Sequence, residues 1–250
     1  MAAVEVRAAA ASVLGRLGRP DEAVAMREND AVRFEAERWF PSALRILDEA
    51  ALLLAALGRV DDAVAVYLRA AGRLEQHGHY AAAGQALLHA GRQLVVAGRI
   101  DDAVAPFHRA AEASALGTAR MTGARILREL ASRCRSAGRT DDALVAYARG
   151  TEHARAGLEP AVAAALLQEH SNTLREAGRL EEAIATYLEA AREFVAAKRR
   201  GRVENAVVAA TTIMTDRGDR EAAAELRRSW QRTIDTMPPK SQRRAVGRRP

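Results

Sequence analysis

Six glycines, Gly18, Gly58, Gly98, Gly138, Gly178 and Gly218, stand 40 residues apart with no insertion between any two. Around them the chain writes nearly the same words: "LGRPDEAVAM", "LGRVDDAVAVYLRAA", "AGRIDDAVAPFHRAA", "AGRTDDALVAYARGT" and "AGRLEEAIATYLEAA", then a worn sixth copy, "RGDREAAAELRRS". This period constrains the fold more than any other feature. A single repeat cannot bury its own apolar face, so successive repeats must stack into an array.

Each period divides into two helices. After the glycine comes an acidic pair, such as Asp61 and Asp62 or Asp101 and Asp102, followed by alanine and good helix formers. Acids belong at a helix start, where they offset the positive end of the dipole and face the orphan amides of the first turn, and Pro20 is tolerated there as a first helical residue. Upstream of the glycine, Leu87, Ala90, Gly91 and Leu94 recur at the spacing of one helical face. Each period is therefore a helix A, a tight glycine turn and a helix B. The B helices carry a small residue, an aromatic and another small residue: Ala63, Tyr67 and Ala70; Ala103, Phe107 and Ala110; Ala143, Tyr147 and Gly150; Ala183, Tyr187 and Ala190. Small residues let helices approach closely, and one aromatic per repeat fills the gap. There are no strand signals. The pattern predicts an all-α chain, an α-solenoid of about six antiparallel helix-turn-helix repeats over residues 1–236. Helix A is expected near 2–17 and helix B near 20–37, with repeats starting near 2, 41, 80, 119, 159 and 201 and about twelve helices in all. Pro238 and Pro239 stop the last helix, and residues 237–250 read as a basic, disordered tail.

These residues resemble the tetratricopeptide repeat family. Its helix A pattern is met by Leu47, Ala50, Ala51 and Leu54, by Leu87, Ala90, Gly91 and Leu94, and by Leu127, Leu130, Ala131 and Cys134. Its helix B pattern falls on Ala63, Tyr67 and Ala70 and their equivalents, and the resemblance covers about residues 2–236. The period departs from the family's roughly 34 residues. The surplus falls between one helix B and the next helix A, where the customary proline is absent, so either the helices are longer or the linkers are looser. The resemblance implies a non-catalytic scaffold that binds a partner protein or peptide in a concave groove.

Composition narrows the function further. The formal charge is +6, but Lys240, Arg243, Arg244, Arg248 and Arg249 carry nearly all of it in the last residues. A near-neutral body argues against a folded surface built around phosphates, leaving the tail for any weak nucleic-acid association. Lys198 and Lys240 are the only lysines. That bias, with abundant alanine, reads as a GC-rich bacterial genome and discounts single arginines as signals. No apolar run of about 18 residues offers a membrane span, and the start lacks a secretory pattern, so a cytoplasmic location is expected. There is no phosphate loop, dinucleotide fingerprint or nucleophile elbow. The acidic pairs recur in five copies whereas a catalytic site is needed once, so no enzyme activity and no cofactor are expected. His77 and His79 lack a third metal ligand nearby. His170, in the column of Leu130, is expected to be a hydrogen-bonded core residue, and Cys134, in the column of Leu54, Leu94 and Leu174, a core thiol. Arg27 and Arg227 replace the aromatic in the end repeats, where a polar face meets water. Val4, Val6, Val13 and Leu14 have no upstream repeat to cover them, which suggests a homodimer contact or the cut end of a longer protein.

Function then belongs on a surface. By the resemblance, a stripe on each helix A lines the groove: Arg45 in the second repeat, Gln85, Leu88 and Arg92 in the third, Arg125, Arg128 and Arg135 in the fourth, Gln168, Asn172 and Arg175 in the fifth, and Asn205 in the sixth. Arginine forks and amides suit an extended or helical partner segment carrying acids. The family's carboxylate clamp of lysines and asparagines is not reproduced. Two other readings stay open: a ligand- or peptide-sensing module of a bacterial signalling or transcription system, and helix faces that are merely solvated.

Overall fold

A computed structural model describes residues 10–238. The expected start of the first helix, Val4 and Val6, and the tail from residue 239 lie outside the described residues. Within them are twelve helices. α1 covers 10–16, and it is followed by α2 (Pro20–Ala36), α3 (Phe40–Ala56), α4 (Val60–Gln76), α5 (Tyr80–Val96), α6 (Ile100–Leu116), α7 (Arg120–Ser136), α8 (Thr140–Ala156), α9 (Pro160–Glu176), α10 (Leu180–Ala196), α11 (Arg200–Asp216) and α12 (Arg220–Asp235). Even numbers are the B helices.

From α2 to α11 every helix has 17 residues, and three residues join it to the next. The backbone therefore repeats every 20 residues inside a sequence that repeats every 40. This decides the open alternative: the surplus residues lengthen the helices, and the links from B to A are as tight as the links from A to B. The links themselves hold no proline; Pro41 and Pro160 stand just beyond them, in the first turns of α3 and α9.

One turn geometry serves throughout. After α3, the amide of Gly58 donates to the Ala55 carbonyl at 2.9 Å and that of Arg59 to the Leu54 carbonyl at 2.9 Å. This is the double closure of a helix end by a residue in the left-handed region, here Gly58 at φ +74°. Arg59 then accepts the first bond of the next helix, from the Ala63 amide at 3.0 Å, so no residue is spare. Glycine suits the bend because it has no Cβ to oppose positive φ.

The acidic pairs do something other than cap amides. The residue before each B helix makes no side-chain cap. Arg59 instead donates from Nε to Asp62 Oδ2 of its own helix at 2.6 Å and from Nη1 to Asp21 Oδ1 of the preceding repeat at 2.7 Å. Arg99 does the same with Asp102 at 2.7 Å and Asp61 at 2.6 Å, and Arg179 with Glu182 at 2.6 Å and Asp141 at 3.3 Å. Within each unit the first acid, as Asp21, Asp61 and Asp141 show, thus reaches forward to the next repeat, and the second holds the arginine of its own. The repeated "GR" and acidic pair write a ladder of ion pairs along this ridge of turns.

The helices group into two compact units, residues 1–126 and 127–250, the division falling inside α7. In the first unit α2 to α6 pack consecutively, and in the second α8 to α12 do. The repeat signature is their core. Ala63, Ala103, Ala143 and Ala183 are fully buried, as are Tyr67, Phe107, Tyr147 and Tyr187 to within 2 % exposure. At Gly91 a Cβ would stand 2.6 Å from the Phe107 ring, so the aromatic occupies the space a side chain would need. Cys134 is buried, and that burial, with Asp142 second, pushes its thiol up to about 11.

Three expectations need correction. His170 is not hydrogen-bonded through Nδ1, which is buried without a partner; the ring stacks on Tyr147 with centroids 6.2 Å apart. Arg27 does not reach water: its side chain is 12 % exposed and lies 2.7 Å from Glu49 of the next helix A. Arg227, by contrast, is exposed as expected, while also donating to Thr211 Oγ1 at 3.0 Å. Leu88, which spacing puts on the exposed stripe, is buried at 8 %.

Candidate functional site

The turn glycines and the core columns have structural work to do, so a site must come from side chains on the helix A faces that the fold leaves unused. In the first unit Gln85 and Arg125 are exposed. Arg45 is exposed and pairs with Glu49 of its own helix at 2.7 Å; Arg92 is exposed as well. The polar group that does form here is a contact between repeats. Asp48 accepts from the Tyr67 hydroxyl at 2.5 Å and lies 2.7 Å from Nδ1 of His89, whose ring is 5.5 Å from that of Tyr67. Burial pushes the Asp48 carboxyl upward, but the bonds from His89 and Tyr67 outweigh it and hold it below its ordinary value. Burial and the adjacent Asp48 both push the Tyr67 phenol up. The equivalent of Asp48 in the next repeat is Leu88, and there the aromatic is Phe107, which has no hydroxyl to satisfy.

In the second unit the stripe closes into a cleft of about 670 Å³. Arg128 enters it from α7, Gln168 and Asn172 from α9, and Asn205 from α11. Its apolar surfaces come from Ala161, Ala165, Phe194 and Pro238. Asn172 is half-buried and its amide oxygen accepts from the Tyr187 hydroxyl at 2.5 Å, a bond that does not use its NH2 group. Arg128 is held by Glu169, Nε to Oε2 at 3.0 Å with a second, shorter contact from Nη2 to Oε1. That bidentate bond raises the Arg128 pKa above its already high ordinary value, so it stays charged. Burial, then the charge of Glu169, pushes the Tyr147 phenol up. Arg135 and Arg175 are exposed outside the cleft, the former 3.9 Å from Glu176.

The residues that spacing alone did not single out are the cations of "KRRGR". Lys198, Arg199, Arg200 and Arg202 line the cleft at the turn into α11. Arg200 is engaged by Glu204 at 3.1 Å and by Asp235 at 3.6 Å, which ties α11 to the end of α12. Lys198, Arg199 and Arg202 are exposed and have no ion pair among the described residues. They stand at a helix start, where the dipole favours the opposite charge, and no acid shares the first turn. The run was visible as a basic cluster, but in an arginine-rich chain only the fold shows which cations lack partners.

Among the described residues no group of three or more His, Cys, Asp or Glu side chains is placed to hold a metal ion, and no helix is long and apolar enough to cross a membrane.

Among solved structures, the chain is similar to BtubC (BKLC) from P. vanneervenii at 14% identity, covering 90% of this chain and 94% of that one with a TM-score of 0.47. It is also similar to YrrB, a TPR protein described as having an unusual peptide-binding site, at 19% identity over 81% of this chain and 94% of that one with a TM-score of 0.39. Aspartyl phosphate phosphatase F from Bacillus subtilis matches at 13% identity over 92% of this chain and 59% of that one, with a TM-score of 0.43. No curated protein sequence matches significantly. The family described as "Tetratrico peptide repeat" matches residues 4–81 and 84–209, most of the chain and all five of its well-kept turns. Repeat, turn and matched family coincide, and the chain belongs to the tetratricopeptide repeat family.

Proposed function

We propose that this chain is a non-catalytic interaction module whose second unit holds a segment of a partner protein in the cleft between α7, α9 and α11. Tetratricopeptide repeat domains typically bind proteins or peptides. The observation that carries the reading is the convergence of Arg128, Gln168, Asn172 and Asn205, drawn from three successive repeats, on one opening. Gln168 and Asn205 make no hydrogen bond among the described residues, so their donors and acceptors are available to a peptide backbone. The volume suits a few side chains, and the walls of Phe194 and Pro238 give an apolar contact beside the polar ones.

Selection of peptides from a displayed random library on the full-length chain tests this. Selected peptides should bind the Gln168→Ala, Asn205→Ala double variant at least about tenfold more weakly, which corresponds to roughly 1.4 kcal/mol, with an unchanged melting temperature. The control variant Gln85→Ala, Arg125→Ala should bind as the parent does. Binding that survives the cleft variant and fails in the control would move the site to the first unit.

A further inference from the structure

Resting on that reading, we infer that the cleft selects a short carboxylate-rich segment, gripped by Lys198, Arg199 and Arg202, and that Glu169 is a resident competitor holding Arg128 back from it. The charge inside the cleft points this way. Five of its lining residues are cations and Glu169 is the one carboxylate. Several arginines elsewhere are neutralised: Arg59, Arg99 and Arg179 each serve two acids, and Arg73 and Arg155 on the B helices are likewise paired. Arg38 and Arg125 are exposed and without an ion pair among the described residues as well, but singly; what distinguishes the turn after α10 is that three such cations stand together on one cleft.

The shape limits the length of the occupant. The cleft follows α9 from Ala161 to Asn172, roughly 16 Å at the helical rise, which an extended peptide spans in about five residues. Gln168, Asn172 and Asn205 along this floor match the alternating donors and acceptors of such a backbone. The chain's own tail is not the occupant, since Lys240, Arg243, Arg244, Arg248 and Arg249 share the sign of the cleft. A single-stranded nucleic acid would need exposed aromatic faces on which to stack. Phe194, the one aromatic lining residue, is 4 % exposed.

Glu169 occupies Arg128 in the geometry an incoming carboxylate would use, two oxygens against the guanidinium fork. A ligand must displace it or make do with the turn cations. Removing the charge of Glu169 should accordingly tighten binding, an effect that damage to the fold cannot imitate.

The test is fluorescence polarisation with a dye-labelled penta-glutamate peptide and the full-length chain, with penta-glutamine, penta-lysine and an oligothymidylate as comparison probes. Penta-glutamate should bind and the other two peptides should not. Its affinity should fall at least about tenfold in the Lys198→Ala, Arg199→Ala, Arg202→Ala variant and rise about three- to tenfold in Glu169→Gln. Replacing the five tail cations by glutamine should leave it within about twofold, because the grip is assigned to Lys198, Arg199 and Arg202. Equal binding by the triple variant, or no gain in Glu169→Gln, overturns the inference. So does loss on neutralising the tail. Oligothymidylate binding more tightly, and lost in the triple variant, would replace a peptide by a nucleic acid. If penta-glutamate fails while library peptides without acids still depend on Gln168 and Asn205, the acidic class falls and the cleft stands; if both fail, the cleft falls with it.

Discussion

The turn at 137–139 and the turn at 157–159 are joined to the same kind of helix, close the same two hydrogen bonds and share no residue. In the first, Gly138 takes φ +74° and the amides of residues 138 and 139 bond back at 3.1 and 2.8 Å. In the second, Leu158 takes φ +57° and the equivalent bonds are 2.9 and 3.0 Å. The contrast holds along both ridges. Turns from A to B use glycine six times, whereas turns from B to A use Arg38, Gly78, Thr118, Leu158 and Lys198. A side chain in the left-handed region costs roughly 1–2 kcal/mol, and the packing of the two flanking helices absorbs it. Geometry is therefore not what separates the ridges. The A-to-B ridge also carries the arginine ladder, which fixes its letters, while the B-to-A ridge is free to vary, and one of its turns is the cationic 198–202 segment of the cleft.

The largest effect should come from breaking the kept ridge. Gly138→Val places a β-branched residue at φ +74° and should cost about 2 kcal/mol in urea denaturation. Thr118, already β-branched at φ +65°, sets the comparison: Thr118→Val should be close to neutral. Equal stability of the Gly138 variant and the parent would mean that the helices alone impose the turn and the glycine adds nothing.

Departure from the repeat also reaches the core, where His170 stands in the place that Leu130 holds one repeat earlier. A buried polar atom without a partner costs roughly 1–3 kcal/mol, so His170→Leu should stabilise by about 1 kcal/mol at neutral pH. The pH dependence has a definite sign. Burial holds the folded imidazole below its ordinary value of 6.5, so below that value the unfolded chain binds the proton more readily. The stability involved is intact above pH 6.5 and lost as pH falls from there through the lowered folded value. The advantage of His170→Leu should widen on acidification; a constant difference between pH 7.5 and 5.5 would refute the assignment.

On the varied ridge, Leu158→Gly should stabilise by only about 0.5–1 kcal/mol, because relief at φ +57° is partly offset by the greater entropy of an unfolded glycine. A loss of stability would show that this exposed leucine makes a contact its position does not suggest.

How much of this could be read from the letters depends on what each letter answers to. Helix B was expected near 20–37 and runs Pro20–Ala36, because periodic burial and the glycine turn both leave marks in the sequence. The signature alanines and aromatics lie in the core for the same reason. The 20-residue backbone period left no mark, since non-glycine residues in the left-handed region look like any others. The acids after each glycine were legible as a helix start, but their partners are 38 residues away and one repeat over. In the cleft, Arg128, Gln168, Asn172 and Asn205 follow from helical spacing, whereas the importance of Lys198, Arg199 and Arg202 depends on which carboxylates the fold brings near them. Leu88 failed as a surface residue because spacing gives a direction and the neighbouring helix decides the burial.

The smallest expected effect separates the ridges by charge alone. Arg99 bridges Asp61 and Asp102, all three well exposed, while Arg38 on the opposite ridge has no ion pair among the described residues. Exposed pairs are weak singly, yet this one ties two repeats together, and in a linear array loss of a neighbour contact first uncouples the repeats on either side. Arg99→Met should lower the melting temperature slightly in dilute buffer, and the deficit should close as salt approaches 1 M, where the screening length falls to about 3 Å. Arg38→Met keeps a long side chain at the same strained backbone and removes no pair, so its melting temperature should not respond to salt differently from the parent's. If both variants show the same salt response, the ladder is decoration on a ridge that packing alone holds, and the repeated arginine after each glycine needs another cause.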